Sequence, residues 1–507
     1  MSALFLVTFQ EKFAHGFEPE SYFHPAALER RRQEGLPMAD EKDWPVHPAY
    51  VEATAARVEQ LRYQLRWFNG VSVKATGAQI EAVARLPFVK EIIALGGSSQ
   101  IAALPNHFSV SASDSFFQQV SNQLHLQALS QRNLSGSGQR IAIFDAGFKT
   151  VDTHPAFERL RGRKGIVATR DFYQGDEMVY RHSDHGALVL SVMAGYYQDQ
   201  PMGAATGADY LLARTEHVKK EQPAEEDHWL AAAEWADQQG ADIINTSITF
   251  FLGYTYPEMD GRSLAVSKAA KIASDKGILV ISAMGNEGDK RWKYLASPAD
   301  VPEVVSVGGS MPNLPLPTSF TAFGPNARGE RKPDVAAPAL VWGTHKKDQY
   351  SEQAGTSFSA PLVAGMAACL MQAFPRMKRG EIAEMLRQAG HFYPYFDYRL
   401  GYGVVDARRF FNPGAGRTDY NFQVQYRSDT VLVVFNPEVM LDSAAFPYGR
   451  YLYFQMGDQE GRIQLAEVTR LQHRTQAYFF MRNPKSEGIL RIWFEGQLYE
   501  QEVSRLE

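Results

Sequence analysis

Residues 227–246 read DHWLAAAEWADQQGADIINT, and two periodicities meet in them. Residues 229–239 fit a helix, with Asp227 before it as a cap and Gly240 after it as a stop. Residues 242–246 then fit a short apolar strand. Helix, glycine and fully apolar strand make the repeating unit of a parallel sheet covered on both faces. The unit recurs further along the chain. Residues 264–276 predict a helix ended by Gly277, and residues 278–283 a strand. Apolar runs at 141–144, 210–214 and 304–307 predict further strands, and residues 356–373 and 379–388 predict closing helices. Residues 114–411 therefore predict an α/β domain with a mainly parallel sheet. Its reactive loops belong at the carboxyl ends of the strands.

The flanks have a different character. Residues 1–95 predict strand 4–9, helices at 26–34 and 50–65, strand 71–74, helix 77–86 and strand 89–95, a small α+β domain. The first nine residues carry neither an early positive charge nor a cleavable apolar core, so they read as a strand and no signal peptide is visible. Residues 96–113 are rich in glycine and serine and read as an exposed linker. After a breaker-rich stretch at 412–417, residues 418–507 predict strands at 430–435, 451–456, 463–468, 476–481 and 489–494, an antiparallel β-sandwich.

Composition excludes several classes of function. The chain has 507 residues, with 52 Lys+Arg against 57 Asp+Glu and a formal charge of −5, which argues against nucleic acid as the main partner. No apolar run approaches the roughly 20 residues of a membrane helix, so no transmembrane segment is expected. The one cysteine, Cys369, excludes an intramolecular disulfide or a multi-thiolate metal site and reads as a core residue. No loop of clustered acidic residues suggests calcium, and no cofactor is expected.

Four stretches carry chemistry. Residues 355–365, GTSFSAPLVAG, place Ser357 in the first turn of an apolar helix, beside free backbone N–H groups and the positive helix end. Gly355 lets a substrate backbone come close. Residues 182–195, HSDHGALVLSVMAG, place His185 just before another apolar helix, while His182 lacks an adjoining glycine. Residues 141–148, IAIFDAGF, deliver Asp145 at the carboxyl end of a strand, where it can orient a histidine. Residues 280–288, VISAMGNEG, end a strand in Asn286, an amide donor for a developing oxyanion. Each motif alone also fits a cap, a turn or a core residue.

Taken together, in the order Asp, His, Ser, these motifs resemble those of the subtilisin-like serine proteases, the subtilases. VVSVGG at 304–309, KPDVAAP at 332–338 and GYGVVD at 401–406 extend the resemblance. It implies a three-layer fold, a catalytic triad of Asp145, His185 and Ser357, and an oxyanion hole with Asn286. It also implies an edge strand at 244–248 that pairs with extended substrates. Ser247 and Ile248 would flank the specificity pocket, with Ala283, Met284 and Gly285 opposite. Protein or peptide substrates are the implied partners, and secretion or display on the cell surface or in the periplasm the implied location. Residues 1–95 resemble a subtilase propeptide, an intramolecular inhibitor released by self-cleavage in the linker 96–113. The C-terminal sandwich loosely resembles the β-domains of secreted bacterial proteases. The chain departs from the pattern in Ala187 after His185-Gly186, in Thr249 where glycine is usual, and in Phe358 where methionine follows the nucleophile. Thr249 implies a narrower groove, and Phe358 implies resistance to peroxide. A different class of function, a catalytically silent binding or adhesion protein on the same fold, is the alternative.

Overall fold

The computed structural model describes residues 2–13, 16–96, 98–101, 114–216, 225–346, 348–411, 421–427, 430–436, 450–458, 462–472, 475–481 and 488–503. The first elements are β1 (Ser2–Phe9), α1 (Pro19–Tyr22), α2 (Pro25–Glu34), α3 (Pro48–Ala55), β2 (Gln60–Leu65), β3 (Gly70–Thr76), α4 (Gly77–Ala84) and β4 (Val89–Leu95). The strands pair antiparallel in the order β2-β3-β1-β4. Val7, Phe9, Val71, Val73 and Val83 form the core beneath them. The helix expected over 50–65 stops at Ala55, and residues 60–65 are a strand. Tyr63 and Leu65, two residues apart, enter one core as the ladder to β3 requires, and a bulge at Arg62 turns Leu61 into the other.

The central domain follows. After β5 (Ser98–Ile101), which lies in the stretch between the two domains, its first half holds α5 (Asp114–Gln123), α6 (Gln127–Ser130), β6 (Arg140–Asp145), α7 (Glu158–Gly162), β7 (Ile166–Asp171), α8 (His185–Ala194), the short β8 (Tyr196–Tyr197) and β9 (Gln200–Pro201), and β10 (Asp209–Arg214). Its second half holds α9 (Glu225–Gln238), β11 (Ile243–Thr246), β12 (Ile248–Leu252), α10 (Ala265–Asp275), β13 (Leu279–Ala283), β14 (Val305–Ser310), β15 (Val335–Pro338), β16 (Leu340–Thr344), β17 (Tyr350–Ala354), α11 (Thr356–Ala373) and α12 (Arg379–Gln388). Seven strands form one parallel sheet in the order β15-β14-β13-β11-β6-β10-β7. Successive residues of each strand feed opposite cores, which makes the three layers. Ile141, Ile143, Leu212 and Ile281 pack with α8 and α11. Ala142, Phe144, Leu211 and Val280 pack with α9 and α10. Helix α11 is long and apolar enough to cross a membrane by composition alone, yet it is buried as the central helix of the first of these cores.

Three local expectations change. Helix α9 begins at Glu225, so Asp227 lies inside its first turn and is no cap. Residues 243–246 lie inside the sheet between β6 and β13, so the free edge begins only at Ile248. Residues 98–101, read as linker, form β5 and pair antiparallel with β12. A backbone ladder needs no side-chain pattern, which is why a Gly/Ser-rich stretch concealed it. Residues 97 and 102–113 of that linker lie outside the described residues.

The C-terminal strands are β18 (Phe422–Arg427), β19 (Thr430–Phe435), β20 (Arg450–Gly457), β21 (Ile463–Leu471), β22 (Ala477–Met481), β23 (Gly488–Phe494) and β24 (Gln497–Val503). They form two antiparallel sheets, β18-β19-β22 and β21-β20-β23-β24. Val431, Val433, Leu452, Phe454, Ile492 and Phe494 fill the space between the sheets. The other face of the four-stranded sheet is covered at β20 and β23, while most of β21 is exposed. Tyr451, Tyr453 and Trp493 enter the central domain's core beside Phe392 and Tyr395, so β20 is buried along its whole length.

Candidate active site

Strand β6 ends in Asp145, which is fully buried. Its Oδ1 accepts the N–H of Ala146 at 2.8 Å. Nδ1 of His185 donates to Oδ1 at 2.8 Å and faces Oδ2 at 3.0 Å. That bond places the imidazole proton on Nδ1 and turns Nε2 outward as an acceptor. His185 is the first residue of α8, and its backbone N–H donates to Ser183 Oγ at 3.1 Å. Among the described residues, Nε2 has no hydrogen-bond partner although it is buried. His182, the rival histidine, is exposed.

Ser357 is the second residue of α11 and is fully buried. Gly355 precedes the helix at φ 149°, a backbone conformation that side chains resist. Pro361 lies four residues after Ser357 inside the helix and brings no N–H to its carbonyl. Ser247 Oγ supplies that missing donor at 2.8 Å from Ser357 O. The Ser357 hydroxyl in turn donates to Ser247 O at 3.2 Å. One serine thus ties the groove wall to the head of the helix in both directions.

Asn286 follows β13. Its Oδ1 accepts from the Thr356 N–H and the Thr356 hydroxyl, each at 3.0 Å. Those two donors identify the oxygen, so Nδ2 is the free end. It is buried without a partner among the described residues. A buried, unpaired amide donor costs about 1–3 kcal/mol and is best explained by an acceptor that arrives later. Thr356 also accepts the Gly285 N–H at 3.2 Å. Thr356, Ser183 and Pro361 were not singled out from sequence as part of the site. All three lie within four residues of Ser357 or His185, and that adjacency was the available signal.

The groove residues come together around these groups. Ser247 lies beside the Ser357 hydroxyl, and Ile248 pairs with Ile101 of β5. Gly285 neighbours Thr249 and Ala322. Ala283 and Met284 are fully buried, Met284 against Phe251 and Leu295 behind the groove. Among the described residues, no three His, Cys, Asp or Glu side chains are grouped so as to hold a metal ion.

The N-terminal domain grips α9 at three carboxylates. Arg62 binds Asp227 through Nε at 2.5 Å and Nη2 at 3.0 Å, and Ser72 adds a bond at 2.9 Å. Glu234 accepts the N–H groups of Arg66 and Trp67, both at 2.9 Å. Burial pushes Glu234 up to about 7, against those two bonds. Asp237 takes both Arg30 and Arg31, the latter at 2.7 Å. Lys276 of the central domain reaches back to Asp43 at 2.7 Å.

Comparison with known proteins places this architecture. Residues 136–403, more than half of the chain, match the model of the Subtilase family, Peptidase S8. Residues 4–105 match the Peptidase S8 propeptide domain, Bacteroidota. Subtilisin-like protease SBT6.1 of Arabidopsis thaliana is 26% identical over 310 residues, 59% of this chain and 27% of that protein. The thermostable alkaline protease of Halalkalibacterium halodurans is 25% identical over 53% of this chain and 66% of its own length. Subtilisin BL of Lederbergia lenta is 26% identical over 52% of this chain and 88% of its own length. The chain thus spans about a quarter of the plant relative and just under two thirds of the first bacterial one. Among solved structures, fervidolysin from Fervidobacterium pennivorans has the same fold, with a TM-score of 0.55 at 17% identity over 97% of this chain and 70% of that one. The fold, the order of the motifs and the family match agree: this chain belongs to the subtilase family.

Proposed function

We propose that the chain is a serine endopeptidase that hydrolyses peptide bonds through an acyl-enzyme and is made as a self-processed zymogen. The observation that carries this reading is the buried pair of unpaired atoms, His185 Nε2 and Asn286 Nδ2, on a histidine whose ring lies 5.7 Å from that of Phe358 and an asparagine bonded to Thr356, the two neighbours of Ser357. For attack, the Ser357 hydroxyl turns from Ser247 O to His185 Nε2, which takes the proton as Oγ adds to the scissile carbonyl. Asp145 holds the imidazole tautomer and stabilises the cation. Asn286 Nδ2 and the Ser357 N–H, which has no acceptor within the helix, receive the oxyanion. His185 then returns the proton to the leaving amine, and water releases the acyl group by the same steps. Every role is filled by a protein group, so the proposal includes no cofactor.

Protein or peptide chains are the substrates, held in extended form against β12 and between Ser247–Ile248 and Ala283–Gly285. Residues 1–95 act as propeptide and inhibitor, residues 114–411 as catalytic domain and residues 418–507 as an appended sandwich. The ladder from β5 to β12 supports the inhibitor role, because it occupies the edge a substrate would use. Action outside the cell or at its surface follows from the resemblance to secreted subtilisins. A fluorophosphonate probe tests the chemistry: it should label wild type and fail on Ser357→Ala and His185→Ala. Loss of either group should lower peptide hydrolysis by on the order of 10⁴-fold or more. A folded wild type that takes no label would instead support the silent binding protein.

A further inference from the structure

We propose that the residue whose carbonyl Ser357 attacks must carry a small side chain, glycine, alanine or serine, and that Thr249 sets this limit. The proposal rests on the protease reading above and adds its substrate class. The register of β5 on β12 supplies the position. Ile101 lies opposite Ile248, Gln100 opposite Thr249 and Ser99 opposite Phe250. A chain added in this register brings its next residue opposite Ser247, whose carbonyl holds the nucleophile's hydroxyl at 3.2 Å. That residue therefore presents the carbonyl to be cleaved.

Strand geometry then fixes where its side chain goes. Residues directly opposite in an antiparallel pair point to the same face, and so do residues two apart along a strand. The entering side chain thus shares a face with Ser247 and Thr249. Thr249 is 2% exposed, so its side chain is packed inward on that face. Across the groove stands Gly285, at φ +103°. A single carbon placed on Gly285 would lie 3.9 Å from Thr249 Oγ1 and 3.8 Å from Ala322 Cβ. Both are ordinary van der Waals contacts, so Thr249 and Ala322 close in on Gly285 and the space beside it has no room for a bulky side chain. It does not open further down. Phe250 and Ser297 exchange main-chain hydrogen bonds at 2.8 and 3.2 Å, which closes the strand against the loop beyond it. Met284, Leu295 and Ala296 are fully buried beneath in one packed cluster. Forcing an aromatic ring into such a space displaces packed atoms, which cores resist. The chain's own sequence agrees, because Ile101 is followed by Ala102 and Ala103.

The test uses the full chain after it has been left to process itself, with active sites counted by fluorophosphonate. Two peptides differ only in Ala or Phe before the scissile bond. The Ala peptide should be cleaved with a kcat/KM about 100-fold above the Phe peptide, and Thr249→Gly should narrow that ratio by about tenfold or more by raising the Phe rate. Thr249→Ala, which keeps a strand-compatible backbone, should narrow it in the same direction and serves if the glycine variant takes no label. Labelled wild type that cleaves both peptides within about threefold overturns the proposal and leaves the protease reading intact. So does a labelled Thr249→Gly or Thr249→Ala enzyme with an unchanged ratio. A folded wild type that takes no label overturns both.

Discussion

The central domain is held from two sides by apolar packing, and on one of them buried ion pairs are added. On α9 it meets the N-terminal domain through buried charge set in an apolar core: Asp227, Glu234 and Asp237 face Arg62, two backbone N–H groups, and Arg30 with Arg31, while Leu4, Leu6, Leu65 and Trp67 pack with Trp229 and Leu230. At residues 391–396 it meets the C-terminal sandwich through aromatic rings. Phe392 packs edge-on against Tyr453 and Trp493 at centroid distances of 4.5 and 5.0 Å. Gln455 bonds Phe396 O at 2.7 Å, and Tyr453 donates to Pro315 O. The physical consequences differ. Ionic groups regain water when a partner leaves, so a charged interface can close tightly and still come apart in solution. Aromatic side chains packed in a shared core gain nothing of that kind on separation. The N-terminal contact should therefore respond to loss of its ion pairs, and the C-terminal contact to loss of its ring packing.

The largest effect should come from Asp237→Ala. It leaves Arg30 and Arg31, 1% and 2% exposed, without their shared carboxylate. Breaking a buried ion pair costs about 3–5 kcal/mol, and two guanidiniums put this case toward the upper end. Thermal melting of the full chain should report it, with earlier loss of the N-terminal fragment on size exclusion after processing. An unchanged profile would show that Asp237 does not hold the interface. Trp493→Ala should cost about 3–5 kcal/mol and make the C-terminal strands sensitive to added protease while the N-terminal contact stays closed. Separation of the N-terminal domain in that variant would contradict the division between the two contacts.

A smaller effect separates the contacts by pH. His391 is half-buried at the C-terminal contact with its Nε2 enclosed; its Nδ1 accepts the Val404 N–H at 2.7 Å and its ring meets Trp493 edge-on. Burial, aided by nearby Arg409, lowers it to about 3, from an ordinary value of 6.5. The folded state thus binds fewer protons than the unfolded one between those values. Its contribution to stability is present above pH 6.5 and is lost as pH falls toward 3. His391→Phe should cost about 1–3 kcal/mol at pH 7 through the lost Val404 bond, and should show a shallower decline in stability between pH 6.5 and 3. Parallel declines in wild type and variant would remove His391 from the explanation.

The elements with an unbroken apolar face were the legible ones. Helices 356–373 and 379–388 and strand 430–435 have the expected limits, because their apolar residues are consumed by one core or by one face of a sheet. The four chemical motifs were visible for a related reason: each joins a regular element to a reactive residue at its end. Elements held by other means escaped. Strand β5 is specified by the backbone of β12, and β2 by its ladder to β3 within residues that also suit a helix. Asp227 looked like a cap because its true partner, Arg62, lies 165 residues away. The bond from Ser247 to Ser357 O spans 110 residues, so Pro361's role at the site required three dimensions. Long-range hydrogen bonds leave no periodic trace in a sequence.

Intact mass of the full chain during incubation tests the self-processing protease most directly. Wild type at 56.7 kDa should divide once beyond Ile101 into two fragments that still travel together, and Ser357→Ala should remain whole. Division of both chains alike, or of neither, would contradict it.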